Sequence, residues 1–255
     1  MKLFISLGLI IWCTAFSVNA TSLADTVEKI KPSVVGVGVY TPTGRPKNVL
    51  TGSGFVIGNG QYVVTNHHVV PTELNQELLQ RVAVFSGRGK TASARKATVI
   101  GSSQRHDLAI LKIEGTPLKG AELAGSEFTR EGSYIGFTGF PIGSVLGLYP
   151  VTHRGIIASI TPTITPVANA KQLDVRLLKK LREPFLVYQL DATAYPGNSG
   201  SALYDIESGK VIGVINKVFV QESKEAVISK PSGITYAIPV KYLHMLLNEQ
   251  GISYQ

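Results

Sequence analysis

The chain is poor in the residues that give small exported proteins their covalent staples. Among 255 residues it has one cysteine, Cys13, and one tryptophan, Trp12. A single thiol cannot close an intrachain disulfide, so stability has to come from a packed core. It also excludes a cysteine-rich zinc site. The pair His67-His68 lacks further ligand spacing, so neither a metal nor another cofactor is expected. Acidic residues are few, 17 against 25 Lys and Arg, for a net charge of +8. Such a balance attracts anionic surfaces. The basic residues are scattered, however, and no nucleic-acid-binding motif accompanies them, so nucleic acid is not an expected partner. Gly52-Ser53-Gly54 lacks the helix and lysine of a phosphate loop. No internal repeat or low-complexity tract is present.

Both rare residues lie near the start. Lys2 gives a basic opening, residues 3–12 are almost continuously apolar, and Val18-Asn19-Ala20 offers small residues for cleavage after Ala20. Residues 1–20 thus read as a secretory signal peptide, too short for a comfortable membrane span. The implied location is the periplasm or the outside of the cell. An uncleaved anchor is the alternative.

Beyond the leader, short Val- and Ile-rich runs recur between Gly, Pro, Asn and Ser. They fall at 34–40, 54–57, 62–65, 82–85, 97–100 and 108–113, then at 134–137, 152–160, 186–190, 201–204, 211–220 and 234–238. Many short strands separated by turn signals imply an all-β sandwich or barrels. Residues 240–251 read as a helix, with Leu243, Leu246 and Leu247 on one face and Gly251 as its stop.

Three segments carry chemistry. Tyr195-Pro196-Gly197-Asn198-Ser199-Gly200-Ser201 sets one hydroxyl in a glycine-flanked bend, where backbone N–H groups can aim at the same point. Thr65-Asn66-His67-His68 places a histidine at a strand's end, and Asp107 immediately precedes an apolar strand. Histidine, acid, serine is the chain order of chymotrypsin-fold proteases. Each residue alone is as easily a turn serine, a strand-end histidine or a surface acid.

The flanks decide between these readings. Gly52-Ser53-Gly54-Phe55, Thr65-Asn66-His67-His68-Val69-Val70, Asp107-Leu108-Ala109-Ile110-Leu111-Lys112, Gly197-Asn198-Ser199-Gly200 and Gly233 to Pro239 occur in one collinear series. It resembles the HtrA/Deg serine proteases from about residue 23 to the end. The resemblance implies two six-stranded antiparallel Greek-key β-barrels of chymotrypsin/trypsin type, with short N- and C-terminal helices. Residues 21–124 would form the barrel carrying His68 and Asp107, and residues 125–255 the barrel carrying Ser199. It implies His68 as general base, Asp107 as its orienting acid and Ser199 as nucleophile. The backbone N–H groups of Gly197 and Ser199 would form the oxyanion hole, with Asn198 contributing less. His67 and His106 are neighbours expected to point elsewhere, and His153 has no assigned role.

Other features follow from the same resemblance. The pocket base falls at Thr193 and Ala194, neither acidic, which argues for a small or medium apolar side chain before the scissile bond. Lys217, if it lies on the pocket wall, would instead admit an acidic group. The expected substrates are exported proteins or peptides, unfolded or damaged. The expected rival is a catalytically silent binding or chaperone-like module, which Ser201, standing where the family usually has glycine, keeps open. Residues 162–184 depart from the family core. Within them, 170–182 reads as a basic amphipathic helix, either capping a barrel or touching a membrane surface. The family's PDZ domains would follow residue 255, where this sequence leaves no room. HtrA relatives often trimerise through residues before the first strand, so a homotrimer stays open.

Overall fold

Several runs of β-branched residues become strands buried on both faces, because one face lines a barrel interior and the other packs in the joint between barrels. The computed structural model of the protein describes residues 22–89, 92–141, 148–163, 184–216 and 233–254. The leader, the 170–182 helix, most of the 162–184 insertion and Lys217 lie outside the described residues.

Strands β1 (Val34–Tyr40), β2 (Asn48–Ile57), β3 (Tyr62–Thr65), β4 (Arg81–Ser86), β5 (Ser93–Ser103) and β6 (Leu108–Ile113) close a barrel in the order β1-β2-β3-β6-β5-β4. Strands β7 (Tyr134–Gly139), β8 (Val151–Pro162), β9 (Leu186–Asp191), β10 (Ala202–Asp205), β11 (Val211–Asn216) and β12 (Ile234–Pro239) close a second barrel in the equivalent order. The pairings between these strands are all antiparallel. The fold is the chymotrypsin/trypsin-like one that the motifs imply.

β6 shows how alternation builds the core. Ala109, Leu111 and Ile113 fill the first barrel with Val37, Val56 and Val63. Leu108 and Ile110 point the other way, into a cluster with Phe55, Tyr204, Val214 and Ile238 that joins the barrels. Burying each such side chain stabilises the fold by roughly 1.5–3 kcal/mol. The second barrel has its own interior around Phe137, Ile157, Leu190 and Ile215. Between the barrels, Ala121 N–H donates to Val56 of the first and Ala124 N–H to Val211 of the second, both at 2.8 Å.

Two helices brace the joint. α1 (Leu23–Ile30) opens on a Ser22/Asp25 capping box, and its Thr26 hydroxyl reaches across to donate to Ile206 O of the second barrel at 2.7 Å. α2 (Val240–Glu249) buries Leu243, Leu246 and Leu247 in the joining cluster. It ends in a Schellman motif: Ile252 N–H donates to Leu247 O and Gly251 N–H to Asn248 O, with Gly251 at φ +63°.

β2 and β5 are longer than their apolar runs. Residues 48–51 and 93–96 still pair with neighbours, Val49 with Val39 and Arg95 with Val84, but on mostly solvent-exposed ladder whose mixed residues make no continuous apolar run.

Candidate active site

The histidine side of the site is built at the ends of β3 and β6. Asn66 leads β3 into a single tight turn, His67–Val69. Facing it, Asp107 adopts a left-handed conformation, φ +50°, which aspartate tolerates better than most side chains. Asn66 Nδ2 donates to its carbonyl at 3.0 Å and His67 N–H at 3.2 Å, fixing that unusual backbone. The Asp107 carboxylate then holds His68 twice. The His68 N–H donates to Oδ1 at 2.9 Å, and ring Nδ1 meets Oδ2 at 2.6 Å. An ionised carboxylate only accepts, so Nδ1 carries the proton and Nε2 is left as a proton acceptor. Asn216 Nδ2, from β11 of the other barrel, donates to the same Oδ2 at 2.7 Å. His68 is therefore a partly exposed imidazole in one tautomer and one orientation.

Ser199 sits in the bend between β9 and β10 and is 6% exposed. Asn198 N–H donates to Tyr195 O at 3.0 Å, Pro196 is the second residue, and Gly197 has φ +97°. That combination is the signature of a type II turn. Types I and II differ by a flip of the central peptide, so the turn decides which way the Gly197 N–H faces. Asn198 N–H is spent within the turn. Among the described residues, the N–H groups of Gly197 and Ser199 have no acceptor. No hydrogen bond joins Ser199 Oγ to His68 among the described residues.

The remaining histidines are engaged elsewhere. His67 Nδ1 lies 2.6 Å from Ser102 Oγ. His106 stacks on Tyr242 at 4.5 Å and meets the edge of Phe185. Burial pushes its imidazole below the ordinary histidine range, helped by Arg105 and opposed by Glu249. His153 stacks on Phe137 at 4.8 Å, with Nε2 3.3 Å from Asn198 Nδ2, and burial lowers it too. Ala194 is buried, its N–H donating to Thr235 Oγ1, and Thr193 beside it is half-buried. Among the described residues, no group of three or more His, Cys, Asp or Glu is placed to hold a metal ion.

Asn66, Asn216 and Ser53, whose Oγ–H donates to Gly197 O at 2.6 Å, touch the candidate site without having been singled out as such in the sequence. Ser53 lies in the Gly52-Ser53-Gly54 run and Asn66 precedes the histidine pair, but an ordinary polar residue in or beside a strand gives no sign of its partner. Asn216 is 109 residues from Asp107. Its one signal is a buried amide ending the otherwise apolar β11.

A family model described as a trypsin-like peptidase domain matches residues 52–214. A probable periplasmic serine endoprotease DegP-like of Halomonas elongata is 31% identical over 189 residues, which is 74% of this chain and 32% of that protein. One from Hahella chejuensis is 29% identical over 212 residues, 82% of this chain and 37% of that protein. The chain spans about a third of the length of the curated relatives it matches. Among solved structures, Deg5 superposes with a TM-score of 0.60 at 27% identity, covering 87% of this chain and 90% of that one. The serine endoprotease from Yersinia pestis gives 0.61 at 23% identity, covering 90% and 66%, a likeness of fold.

Proposed function

Because the chain belongs to the trypsin-like peptidase domain family, as an HtrA/Deg-type member, we propose that it is a serine endopeptidase whose nucleophile is Ser199. The observation that carries this reading is the His68–Asp107 pair, with Nδ1 protonated against the carboxylate and Nε2 left to accept. His68 takes the Ser199 proton as Oγ attacks the substrate carbonyl, then returns it to the leaving amine while the acyl group stays on Ser199. Water, deprotonated by the same imidazole, adds to the acyl carbonyl; the acyl–Oγ bond breaks and the imidazolium returns the proton to Ser199 Oγ. Asp107 stabilises the imidazolium in both halves. The N–H groups of Gly197 and Ser199 receive the oxyanion, while the turn consumes that of Asn198.

The relatives are named as periplasmic, and with the leader-like residues 1–20 this supports export. Unfolded or damaged exported proteins are the proposed substrates. Thr193 and Ala194 carry no acidic group, which favours a small or medium apolar residue before the cut.

One observation favours a latent state: Ser199 Oγ is not hydrogen-bonded to His68 among the described residues. Such contacts commonly tighten only when substrate arrives. Fluorophosphonate labelling of the chain, with the adduct located by peptide mass spectrometry, separates the two. An adduct on Ser199, together with casein cleavage abolished in Ser199→Ala, is expected. A folded protein that takes no label would leave the latent loop or the silent binding module.

A further inference from the structure

The nucleophile loop is set only in part by its own Pro196-Gly197 turn. Gly197 and Gly200 flank Ser199 at φ +97° and +87°, in a region where glycine moves at little cost. The rest of the hold comes from outside the loop. Ser53 of β2, fully buried, makes four hydrogen bonds to three other chain segments. Its N–H donates to Ser199 O at 2.8 Å and its Oγ–H to Gly197 O at 2.6 Å. Its Oγ accepts from Phe140 N–H at 2.8 Å, and its carbonyl accepts from Thr65 Oγ1 at 2.7 Å. The approach is as close as backbones allow. A Cβ on Gly200 would meet Ser53 O at 2.0 Å, and one on Gly52 would meet Ser199 O at 2.9 Å.

We propose that Ser53 is a positioning residue for the reaction, holding the carbonyls of Gly197 and Ser199 toward the first barrel so that the N–H groups of the same two residues stay available to the oxyanion. This rests on the proteolytic reading above. A peptide group is rigid. Fixing the Gly197 carbonyl fixes the Asn198 N–H in the same plane, and that N–H closes the turn on Tyr195. The turn in turn sets the direction of the Gly197 N–H. Only the hydroxyl makes the Gly197 contact, so Ser53→Ala releases it while sparing the backbone contact to Ser199. The same change strands the Phe140 N–H, and the loop gains freedom just where the transition state needs donors in place.

The test uses the purified chain with Ser53→Ala, Ser53→Thr and Ser53→Cys. Four readouts are compared: the rate of fluorophosphonate labelling, kcat and KM on fluorescent casein, the pH–rate profile, and the thermal midpoint. Ser53→Ala is expected to slow labelling and kcat by about ten- to a hundredfold, with KM and the pH profile nearly unmoved. Ser53→Thr, which keeps the hydroxyl, is expected to recover most of the rate. Wild-type labelling by folded Ser53→Ala overturns the proposal, as does equal loss in the Ala and Thr variants. If Ser53→Ala does not fold, the near-isosteric Ser53→Cys replaces it. It is expected to label slowly at an unchanged midpoint, and wild-type labelling there is equally fatal. If the unsubstituted chain takes no label, the proteolytic reading fails first and this one with it, whereas a labelled parent with indifferent variants sinks this one alone.

Discussion

At the scale of single residues, the site is a set of short contacts around one carboxylate. Asp107 Oδ2 accepts from His68 Nδ1 and Asn216 Nδ2, at 2.6 and 2.7 Å. Asp107→Asn keeps the shape but offers an amide where Nδ1 needs an acceptor, and the wrong tautomer follows. On the proposed mechanism, kcat on casein is expected to fall on the order of 10⁴-fold with KM little changed. Asn216→Ala removes a donor and leaves the charge. Its expected loss is smaller, about tenfold, and kcat of the two variants measured side by side checks the ranking. If Asn216→Ala were as crippled as Asp107→Asn, the amide would have a larger part than support.

At the scale of elements, the bend from Tyr195 to Ser201 carries two opposite predictions. Gly200→Ala puts a methyl 2.0 Å from Ser53 O at a positive φ, where backbone cannot yield on either side. Its expected cost is more than about 2 kcal/mol, read as a lower midpoint in urea, with labelling of Ser199 abolished. Ser201 differs. Its hydroxyl is buried with no partner among the described residues, and it lies where Gly139 leaves room, 1.9 Å from that glycine's ideal Cβ position. Ser201→Ala deletes an unmet polar group and is expected to stabilise the fold by about 1 kcal/mol, read as a higher midpoint in urea, with casein cleavage retained. That result would remove the sequence feature that favoured a silent fold, since the serine packs against β7 without needing the nucleophile's space. Strands were the most legible elements, because two buried faces make runs such as 34–40, 62–65 and 108–113 continuous in the sequence. The exposed halves of β2 and β5 were not, since pairing alone leaves no mark on composition. Of the site, collinear motifs brought His68, Asp107 and Ser199 to notice. They said nothing of Ser53 or Asn216, whose parts depend on which strands of two barrels come to face each other.

At the scale of the whole molecule, two half-buried histidines tie stability to pH. Burial holds His106 and His153 below the ordinary value of 6.5, and Arg105 adds to the lowering at His106. The unfolded chain protonates both near that value while the folded chain resists, so between the two pKa values the unfolded state binds more protons. Their contribution is therefore full above about pH 6.5 and is lost as pH falls from there through the folded values. Thermal midpoints measured from pH 7.5 down to 5 are expected to decline below 6.5, with a shallower slope in His106→Phe, which keeps a ring against Tyr242. An unchanged slope in that variant would place the proton uptake elsewhere.

The grip on Asp107 from both barrels has a further consequence, in time rather than in space. Asn216 arrives from the second barrel, and the loop of Ser199 hangs on a strand of the first. Neither barrel alone owns a finished centre. On the proposed mechanism, a chain refolding from denaturant is expected to regain its strands before it regains reactivity toward a fluorophosphonate, because the centre is complete only once the two barrels have docked.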